Sequence, residues 1–234
     1  VSRAAEVFDT VYGFRGVWHL GQSGGTDQAD ATVYDVDGKP VRMDGANDIR
    51  GIIGRSQEFE EDSQCIGFDF SGKSISDPHN APFVFSIWVK PSSGENGGNQ
   101  GVFSLQNGFY GLFIDKVKGW ALFGLTSGGE MDTCFSPAAY NTWTLISAVK
   151  TGSSHYLYVN DSLTGSFSQE NPDRIETVLA SILNLGCLPQ GAGWFSGVLD
   201  EFRIYQGQLS EAWIKACYHT QRENQNAVSF ERKR

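Results

Sequence analysis

The sequence predicts an all-β protein in which about twelve strands form a two-layer antiparallel β-sandwich with a short C-terminal helix. Aromatic residues make up 13% of the 234 residues and there are 28 glycines, a composition that suits many short strands joined by glycine turns. Several segments alternate apolar and polar residues at period two, and no internal repeat is visible. A chain of this length fits one sandwich with a single core.

The strand that closes the sandwich is predicted near the C-terminus. Val198, Phe202 and Ile204 alternate along it and should face the core, and Asp200 shares their face. A carboxylate among apolar neighbours must be hydrogen-bonded, paired or bound to a cation. Ser210 is a natural N-cap, so a short helix should follow the strand.

The same alternation predicts the other strands. In chain order they lie in GVWHL (16–20), GIIGRSQEF (51–59), FVFSIWVKP (83–91), VFSLQNGFYGLFI (102–114), GWALFGL (119–125), NTWTLISAVK (141–150), HYLYVND (155–161) and LNLGCL (183–188). Asn107-Gly108 predicts a tight hairpin turn. Residues 21 to 50 are rich in Gly, Asp and Asn, and should form a long loop with at most short strands.

Charge and hydropathy exclude two kinds of partner. The net charge is -9 and the sequence pI is near 4.9. Binding a nucleic-acid phosphate backbone requires a basic face, so no nucleic-acid partner is expected. No run of about 18 apolar residues is present, so no membrane span is predicted.

The chain divides into one domain and two flanking segments. Residues 1 to 12 are predicted to be a lead-in, residues 13 to 220 the sandwich domain, and residues 221 to 234 a polar C-terminal tail. No signal peptide opens the sequence, and its first residues are typical of a piece excised from a longer protein.

A family resemblance accompanies these patterns. The run FSGVLDEFRIYQGQLSEAWIKACY, residues 195 to 218, resembles the terminal signature of LamG-like jelly-roll domains, relatives of the concanavalin A-like lectins and glucanases. Upstream, GFRGVWHL, GIIGRSQEF, FVFSIWVKP, NTWTLISAVK and HYLYVND follow in the family's order, so the resemblance covers most of the chain. It implies a concanavalin A-like jelly roll.

The two ends of the match carry a more particular resemblance. VFDTVYGFRGVWHL and WIKACYHTQ are most similar to the version of the domain found in large secreted bacterial surface and polysaccharide-associated proteins. This implies an extracellular or cell-surface location, and a module that is monomeric within a larger multidomain chain.

The four cysteines leave two states open. Cys65, Cys134, Cys187 and Cys217 show no C-x-x-C spacing, which argues against a zinc site. Three disulfide connectivities are possible, and the export implied by the resemblance would favour one or two bridges. Buried free thiols are the alternative.

The resemblance also implies a structural calcium. In the LamG-like family and its glucanase relatives this ion bridges the first strand region and an aspartate of the closing strand, which resembles Asp200. The acidic residue that family members often place after the His-Leu pair is replaced here by Gly21 and Gln22. Separately, the motif at 35–38, Asp-Val-Asp-Gly, resembles the opening of a calcium loop, although Ala46 stands where an EF-hand needs glutamate and a plain turn explains the motif equally.

The sequence lacks a catalytic carboxylate pair. The glucanase relatives use E-x-D-x-x-E, in which alternate carboxylates on one strand face supply a nucleophile and a proton donor. Here Glu130 and Asp132 are followed by Phe135 in place of the acid. His19 has no partner spacing and is predicted to lie on the sheet surface. We therefore expect a non-enzymatic domain.

Sugar binding requires fewer groups than hydrolysis. An aromatic ring stacks on a pyranose while a few polar side chains hydrogen-bond its hydroxyls. The candidate sugar-binding residues lie beside glycine-rich turns and are Trp194, Tyr110, Phe109, Trp120, Gln106 and Asn107. The alternatives are that Trp194 anchors its loop and that Trp120 packs across strands.

The predicted function is therefore a non-catalytic, lectin-like module that binds a polysaccharide or surface glycan. The alternative, from a different class, is an adhesion or spacer module that contacts protein, because the fold alone is compatible with both. Trp18, Trp88 and Trp143 lie within the family's core motifs and are predicted to be structural.

Overall fold

The computed structural model confirms the two-layer antiparallel sandwich with its C-terminal helix. It describes residue 8 and residues 13–60, 63–71, 82–92, 98–105, 110–125, 130–169, 182–189, 193–207 and 209–222. No helix within these ranges is both long enough and apolar enough to cross a bilayer.

The described residues contain fifteen strands and one α-helix. In chain order they are β1 (Phe14–Trp18), β2 (Lys39–Val41), β3 (Asp48–Arg50), β4 (Arg55–Phe59), β5 (Cys65–Asp69), β6 (Phe83–Pro91), β7 (Gln100–Leu105), β8 (Tyr110–Asp115), β9 (Gly119–Leu125), β10 (Met131–Ser136), β11 (Thr144–Thr151), β12 (Ser154–Val159), β13 (Ser162–Ser168), β14 (Ile182–Leu185), β15 (Gly197–Gln206) and α1 (Glu211–Gln221). The count exceeds the predicted twelve partly because the loop at 21–50 contributes β2 and β3, of three residues each.

The strands form two sheets. One has eight strands in the order β13-β12-β11-β6-β15-β4-β3, with β1 paired to β15, and the other has seven in the order β10-β9-β8-β7-β14-β5-β2. The closing strand β15 thus lies inside the eight-stranded sheet, flanked by β6 on one side and by β1 and β4 on the other. β7 and β8, on either side of the predicted turn at Asn107-Gly108, pair antiparallel, and the turn residues themselves lie outside the described residues.

The main core lies between the sheets and is rich in aromatic rings. Trp18 is fully buried and stacks on Phe202, with ring centroids 5.4 Å apart and an interplanar angle of 19°. Phe68 of the opposite sheet lies 4.5 Å from the Trp18 ring. The indole Nε1 donates a hydrogen bond of 2.8 Å to the Val36 carbonyl, which satisfies its polar atom. Trp18 therefore joins the two sheets and the loop at 21–50.

A β-bulge changes the predicted alternation of the closing strand. Between Asp200 and Arg203 the strand advances three residues while its partner advances two, and Glu201 adopts a positive φ of 50°. Leu199 consequently lies in the core with Phe202, whereas Val198 does not. The prediction that Val198 and Asp200 share the core face with Phe202 was wrong. The extra residue in the bulge shifts the inward–outward alternation of the side chains by one position.

Helix α1 covers the outer face of the eight-stranded sheet. Ser210 is the N-cap, and its side chain accepts a hydrogen bond from the Trp213 amide, as predicted from the sequence. Ile214 packs in a cluster with Val84 and Val149. The Trp88 indole Nε1 donates to Gln221 Oε1 at 2.9 Å. The helix therefore covers part of the outer face of the eight-stranded sheet.

Candidate functional site

The segment at 193–196, which carries Trp194, is tied to the sandwich by backbone hydrogen bonds on both sides. The Gly193 carbonyl accepts from the Gly101 amide at 2.7 Å, and the Phe195 amide donates to the Gly186 carbonyl at 2.9 Å. Phe195 is buried against Phe59, with ring centroids 6.0 Å apart. Trp194 itself is half-buried. Trp194 is thus held between two backbone hydrogen bonds and remains partly exposed to solvent.

Two glycines make this close packing possible. A Cβ at Gly101 would lie 2.3 Å from the Cys187 carbonyl carbon and 2.3 Å from the Leu188 nitrogen, so the chain at 187–188 crosses directly over β7. Gly193 has a positive φ of 57°, and its Cβ would lie 2.6 Å from the Asn99 carbonyl oxygen. Larger residues at either position would displace the segment that carries Trp194.

A pocket of about 240 Å³ opens at the end of the seven-stranded sheet where β8 turns into β9. The pairing of Gln100 with Ile114 places the turn between β8 and β9 at the same end of the seven-stranded sheet as the Trp194 segment. The pocket is lined by that turn and by the chain after β10, namely by 115–119, Pro137, Ala138 and Tyr140. We call Trp194 and these lining residues the rim site.

The turn at 115–119, which lines the rim pocket, is held by hydrogen bonds to Asp115. Asp115 Oδ1 accepts hydrogen bonds from the Val117 amide at 2.9 Å and the Lys118 amide at 2.8 Å, and these bonds lower the pKa of the Asp115 carboxyl. The Lys118 ammonium lies 4.3 Å from the centroid of the Phe135 ring, within cation–π range. The pocket therefore combines a half-buried tyrosine, Tyr140, with fixed carboxylate and ammonium groups, which suits a polar ligand with an apolar face.

Two predicted sugar-binding residues are buried in the core. Tyr110 is 2% exposed and packs 5.6 Å from Phe85, and Trp120 is 0% exposed. The prediction that their rings contact a ligand was wrong. Both lie on the inward face of their strands, with Leu112 and Leu122, so period-two alternation could have assigned them to the core. Phe109, Gln106 and Asn107 lie outside the described residues.

The strand that resembles a catalytic motif carries no facing acid pair. Glu130 is exposed just before β10, and Phe135 packs with Phe113 and Phe123 on the outer face of the seven-stranded sheet. Asp132 is therefore the carboxylate that β10 itself contributes.

Asp200 is a buried carboxylate with one satisfied oxygen. Its Oδ2 accepts hydrogen bonds from the Ile52 amide at 2.8 Å and the Ile53 amide at 3.1 Å, while Oδ1 has no hydrogen-bond partner. Burial raises its pKa to about 7, against the effect of the two amides. A Cβ at Gly51 would lie 2.3 Å from Oδ2, so the loop at 51–53 packs on the carboxylate.

The surroundings of Asp200 test the predicted calcium. The orphan Oδ1 is a hard oxygen donor of the kind that calcium prefers, but calcium needs six to eight such ligands. No group of three or more acidic, histidine or cysteine side chains that could hold a metal occurs in the described part of the chain. The carboxylates of the described residues therefore do not form a calcium-binding cluster around Asp200. Calcium at Asp200 stays a prediction that chelation can test.

His19 has a partner that the sequence did not reveal. Its Nδ1 lies 2.7 Å from Glu201 Oε1, and the other Glu201 oxygen accepts from the Arg203 guanidinium at 2.5 Å. Glu201 is 2% exposed, whereas the His19 side chain is 45% exposed. The partners are far apart in sequence, and only the bulge at Glu201 brings the carboxylate to the imidazole, so no local pattern could have predicted the pair.

The His19–Glu201 pair predicts a pH-dependent contribution to stability. The hydrogen bond to Glu201 raises the pKa of His19 above 6.5. The contribution should therefore be complete below pH 6.5 and disappear as the pH rises through the folded pKa. Because His19 is partly exposed, we expect less than about 1 kcal/mol. The melting temperatures of wild type and His19→Asn, measured from pH 5 to 9, should differ at low pH and become equal near pH 9. A difference that stays constant with pH would contradict the pairing.

The two antiparallel sheets and the C-terminal helix define the protein as a concanavalin A-like jelly-roll sandwich. The Laminin_G_3 model of the concanavalin A-like lectin/glucanases superfamily matches residues 69–215, and the chain belongs to this family. A comparison with curated proteins finds no significant match.

Solved structures share the fold at low sequence identity. The botulinum neurotoxin serotype D binding domain superposes with a TM-score of 0.72 at 13% identity, over 89% of this chain and 52% of that one. The serotype D ligand-binding domain in complex with N-acetylneuraminic acid superposes with a TM-score of 0.70 at 14% identity, over 93% of this chain and 53% of that one. The chain thus spans about half the length of these neurotoxin domains.

A third structure matches over nearly its full length. Domain 4 of an extracellular arabinanase from Geobacillus stearothermophilus, in complex with arabinotriose, gives a TM-score of 0.67 at 16% identity, over 88% of this chain and 98% of that one. At these identities the likeness establishes the fold.

Proposed function

We propose that this chain is a non-catalytic carbohydrate-binding module of an exported bacterial multidomain protein, and that it binds a polysaccharide or surface glycan at the rim site. The observation that carries the proposal is the half-buried Trp194. The residues on either side of it are hydrogen-bonded to the backbone of Gly101 in β7 and of Gly186 just after β14. A rigid aromatic platform loses little conformational entropy when a sugar stacks on it.

Two further observations support the proposal. Related folds occur in complexes with N-acetylneuraminic acid and with arabinotriose, and one of these comes from an extracellular enzyme. The pocket at the same end of the sheet adds Tyr140 and the polar groups of the turn at 115–119, which would supply the hydrogen bonds that fix a sugar's orientation. An extracellular or cell-surface location is part of the same proposal.

Substitution of Trp194 tests the proposal. We expect Trp194→Ala to weaken binding roughly tenfold or more, because a lost stacking contact is worth about 1.4 kcal/mol. The melting temperature should change little, because Trp194 packs in none of the hydrophobic clusters formed by the described residues. Affinity electrophoresis in arabinan and other polysaccharides, followed by calorimetry with arabinotriose and N-acetylneuraminic acid, measures the effect. Tyr140→Ala should weaken the same binding.

Trp213 on α1 provides a matched control. It is also half-buried, but it packs with Tyr205 on the opposite sheet, with centroids 6.4 Å apart. Trp213→Ala should lower the melting temperature and leave glycan affinity unchanged. If no glycan in a broad panel binds at millimolar concentration, the carbohydrate proposal fails and the adhesion or spacer alternative is favoured.

A further inference from the structure

Two of the four cysteines lie on neighbouring strands of the seven-stranded sheet. Cys65 begins β5, and Cys187 follows the end of β14, which pairs antiparallel with β5 through Leu185 and Ile66. A Cβ at Gly186 would lie 3.2 Å from the Gln64 carbonyl oxygen, so Cys187 comes beside the start of β5, and its thiol lowers the pKa of Cys65 through hydrogen bonding. Both residues are unpaired thiols in the structure.

The turn at Gly186 explains how the two sulfurs meet. In a regular antiparallel ladder, side chains two positions apart point the same way, so Cys187 would follow Leu185 into the core while Cys65 points out. Gly186 has a positive φ of 85°, which ends the alternation and turns the chain across β7. Ser104, on the outer face, donates its hydroxyl to the Cys187 carbonyl at 2.9 Å. Cys187 thereby reaches the face on which Cys65 lies.

The other two cysteines are too distant to compete. Cys134 is on β10, four strand intervals from β14, which corresponds to about 19 Å at about 4.8 Å per interval. A disulfide requires Cα atoms within about 7 Å. Cys217 is on α1, which packs against the outer face of the opposite sheet. The core between the sheets therefore separates it from Cys65 and Cys187.

We propose that Cys65 and Cys187 form a disulfide when the protein meets a thiol–disulfide oxidant, and that Cys134 and Cys217 stay reduced. Each of the three connectivities that four cysteines allow contains a bridge to Cys134 or Cys217 that the fold keeps apart, so Cys65–Cys187 is the single bridge compatible with the described strands. The proposal does not depend on sugar binding, although the bridge would fasten the chain at 187–196, and hence Trp194, to β5.

The reaction balances with a small disulfide as oxidant. The Cys65 thiolate attacks one sulfur of oxidised glutathione and releases one glutathione thiolate, giving a mixed disulfide. The Cys187 thiolate then attacks the Cys65 sulfur and releases the second glutathione. Two protein thiols lose two protons and two electrons, and the oxidant takes up the electrons as two thiols. The Cys187 hydrogen bond lowers the pKa of Cys65, which favours Cys65 as the attacking group.

Mass spectrometry of the full chain after incubation with oxidised glutathione tests the pairing. We expect a loss of about 2 Da, two remaining alkylatable thiols and a cross-linked peptide that joins Cys65 to Cys187. The oxidised form should melt roughly 5–15 °C higher, because the bridge closes a long loop of the unfolded chain. Reduction should reverse both changes.

Single substitutions give the controls. Cys65→Ser and Cys187→Ser should abolish the mass change and the thermal shift, whereas Cys134→Ser and Cys217→Ser should retain them. A cross-link that includes Cys134 or Cys217, or a stable mixed disulfide at Cys65 that Cys187 fails to resolve, would overturn the proposal. Glycan affinity is measured separately, so failure of the carbohydrate assay leaves this test unaffected.

Discussion

Replacing Trp18 with alanine is expected to lower the free energy of unfolding by about 3–5 kcal/mol, the range for loss of a large buried aromatic side chain. Trp18 is fully buried, stacks on Phe202 and contacts Phe68 of the other sheet. Its loss would also leave the Val36 carbonyl without the indole donor. Since a domain is stable by about 5–15 kcal/mol, a large fraction of the molecules could unfold.

Urea denaturation measures this effect. Trp18→Phe keeps a ring in the site but loses the hydrogen bond, so it should be less destabilising than alanine. Val117→Ala, at a side chain that is 81% exposed, should change stability by less than about 0.5 kcal/mol. A Trp18→Ala protein that unfolds at the wild-type urea midpoint would show that Trp18 does not join the sheets as described.

The second large effect is expected at Asp200 and depends on pH. Burial raises its pKa from 3.8 to about 7, so the native state holds this proton more tightly than the unfolded chain. The resulting stabilisation is complete below pH 3.8 and is lost as the pH rises to 7 and above. Between pH 4 and 8, the free energy of unfolding of wild type should fall by up to about 4 kcal/mol relative to that of Asp200→Asn, because asparagine carries no charge to bury.

Denaturation curves of both proteins at several pH values in a chelator measure this difference. Glu60→Gln removes an exposed carboxylate and should follow the wild-type pH profile. Parallel profiles for wild type and Asp200→Asn would contradict a buried carboxyl with a raised pKa.

Bound calcium would reverse the expected order of stability of wild type and Asp200→Asn at high pH. If Asp200 binds the ion, added calcium should raise the melting temperature of wild type at pH 8, because a ligand of the native state alone stabilises by mass action. Asp200→Asn should then lose that increase and become the less stable protein. If calcium shifts neither protein, Asp200 acts only through its hydrogen bonds to the amides of Ile52 and Ile53.

Period-two alternation predicted most strands and failed at the bulge of β15, whereas two ligand assignments failed because alternation was not applied to them. In β15 the extra residue at Glu201 moved Val198 away from the core and Leu199 into it. Tyr110 and Trp120 were assigned to a ligand because they adjoin glycine turns, although their own strands place them inward. Proximity to a turn in sequence therefore predicts exposure less well than strand phase does.

The sequence by itself determined the all-β class, the positions of the main strands, the capped C-terminal helix and the absence of a second catalytic carboxylate. These properties depend on local spacing and on which residue types are present. Tertiary structure alone decided the Glu201 partner of His19, the burial of Asp200 beneath the loop at 51–53, the contact between Cys65 and Cys187, and the pocket between the turn at 115–119 and the chain after β10. Each of these joins residues from separate strands, and their meeting depends on sheet order and register, which strand periodicity does not specify.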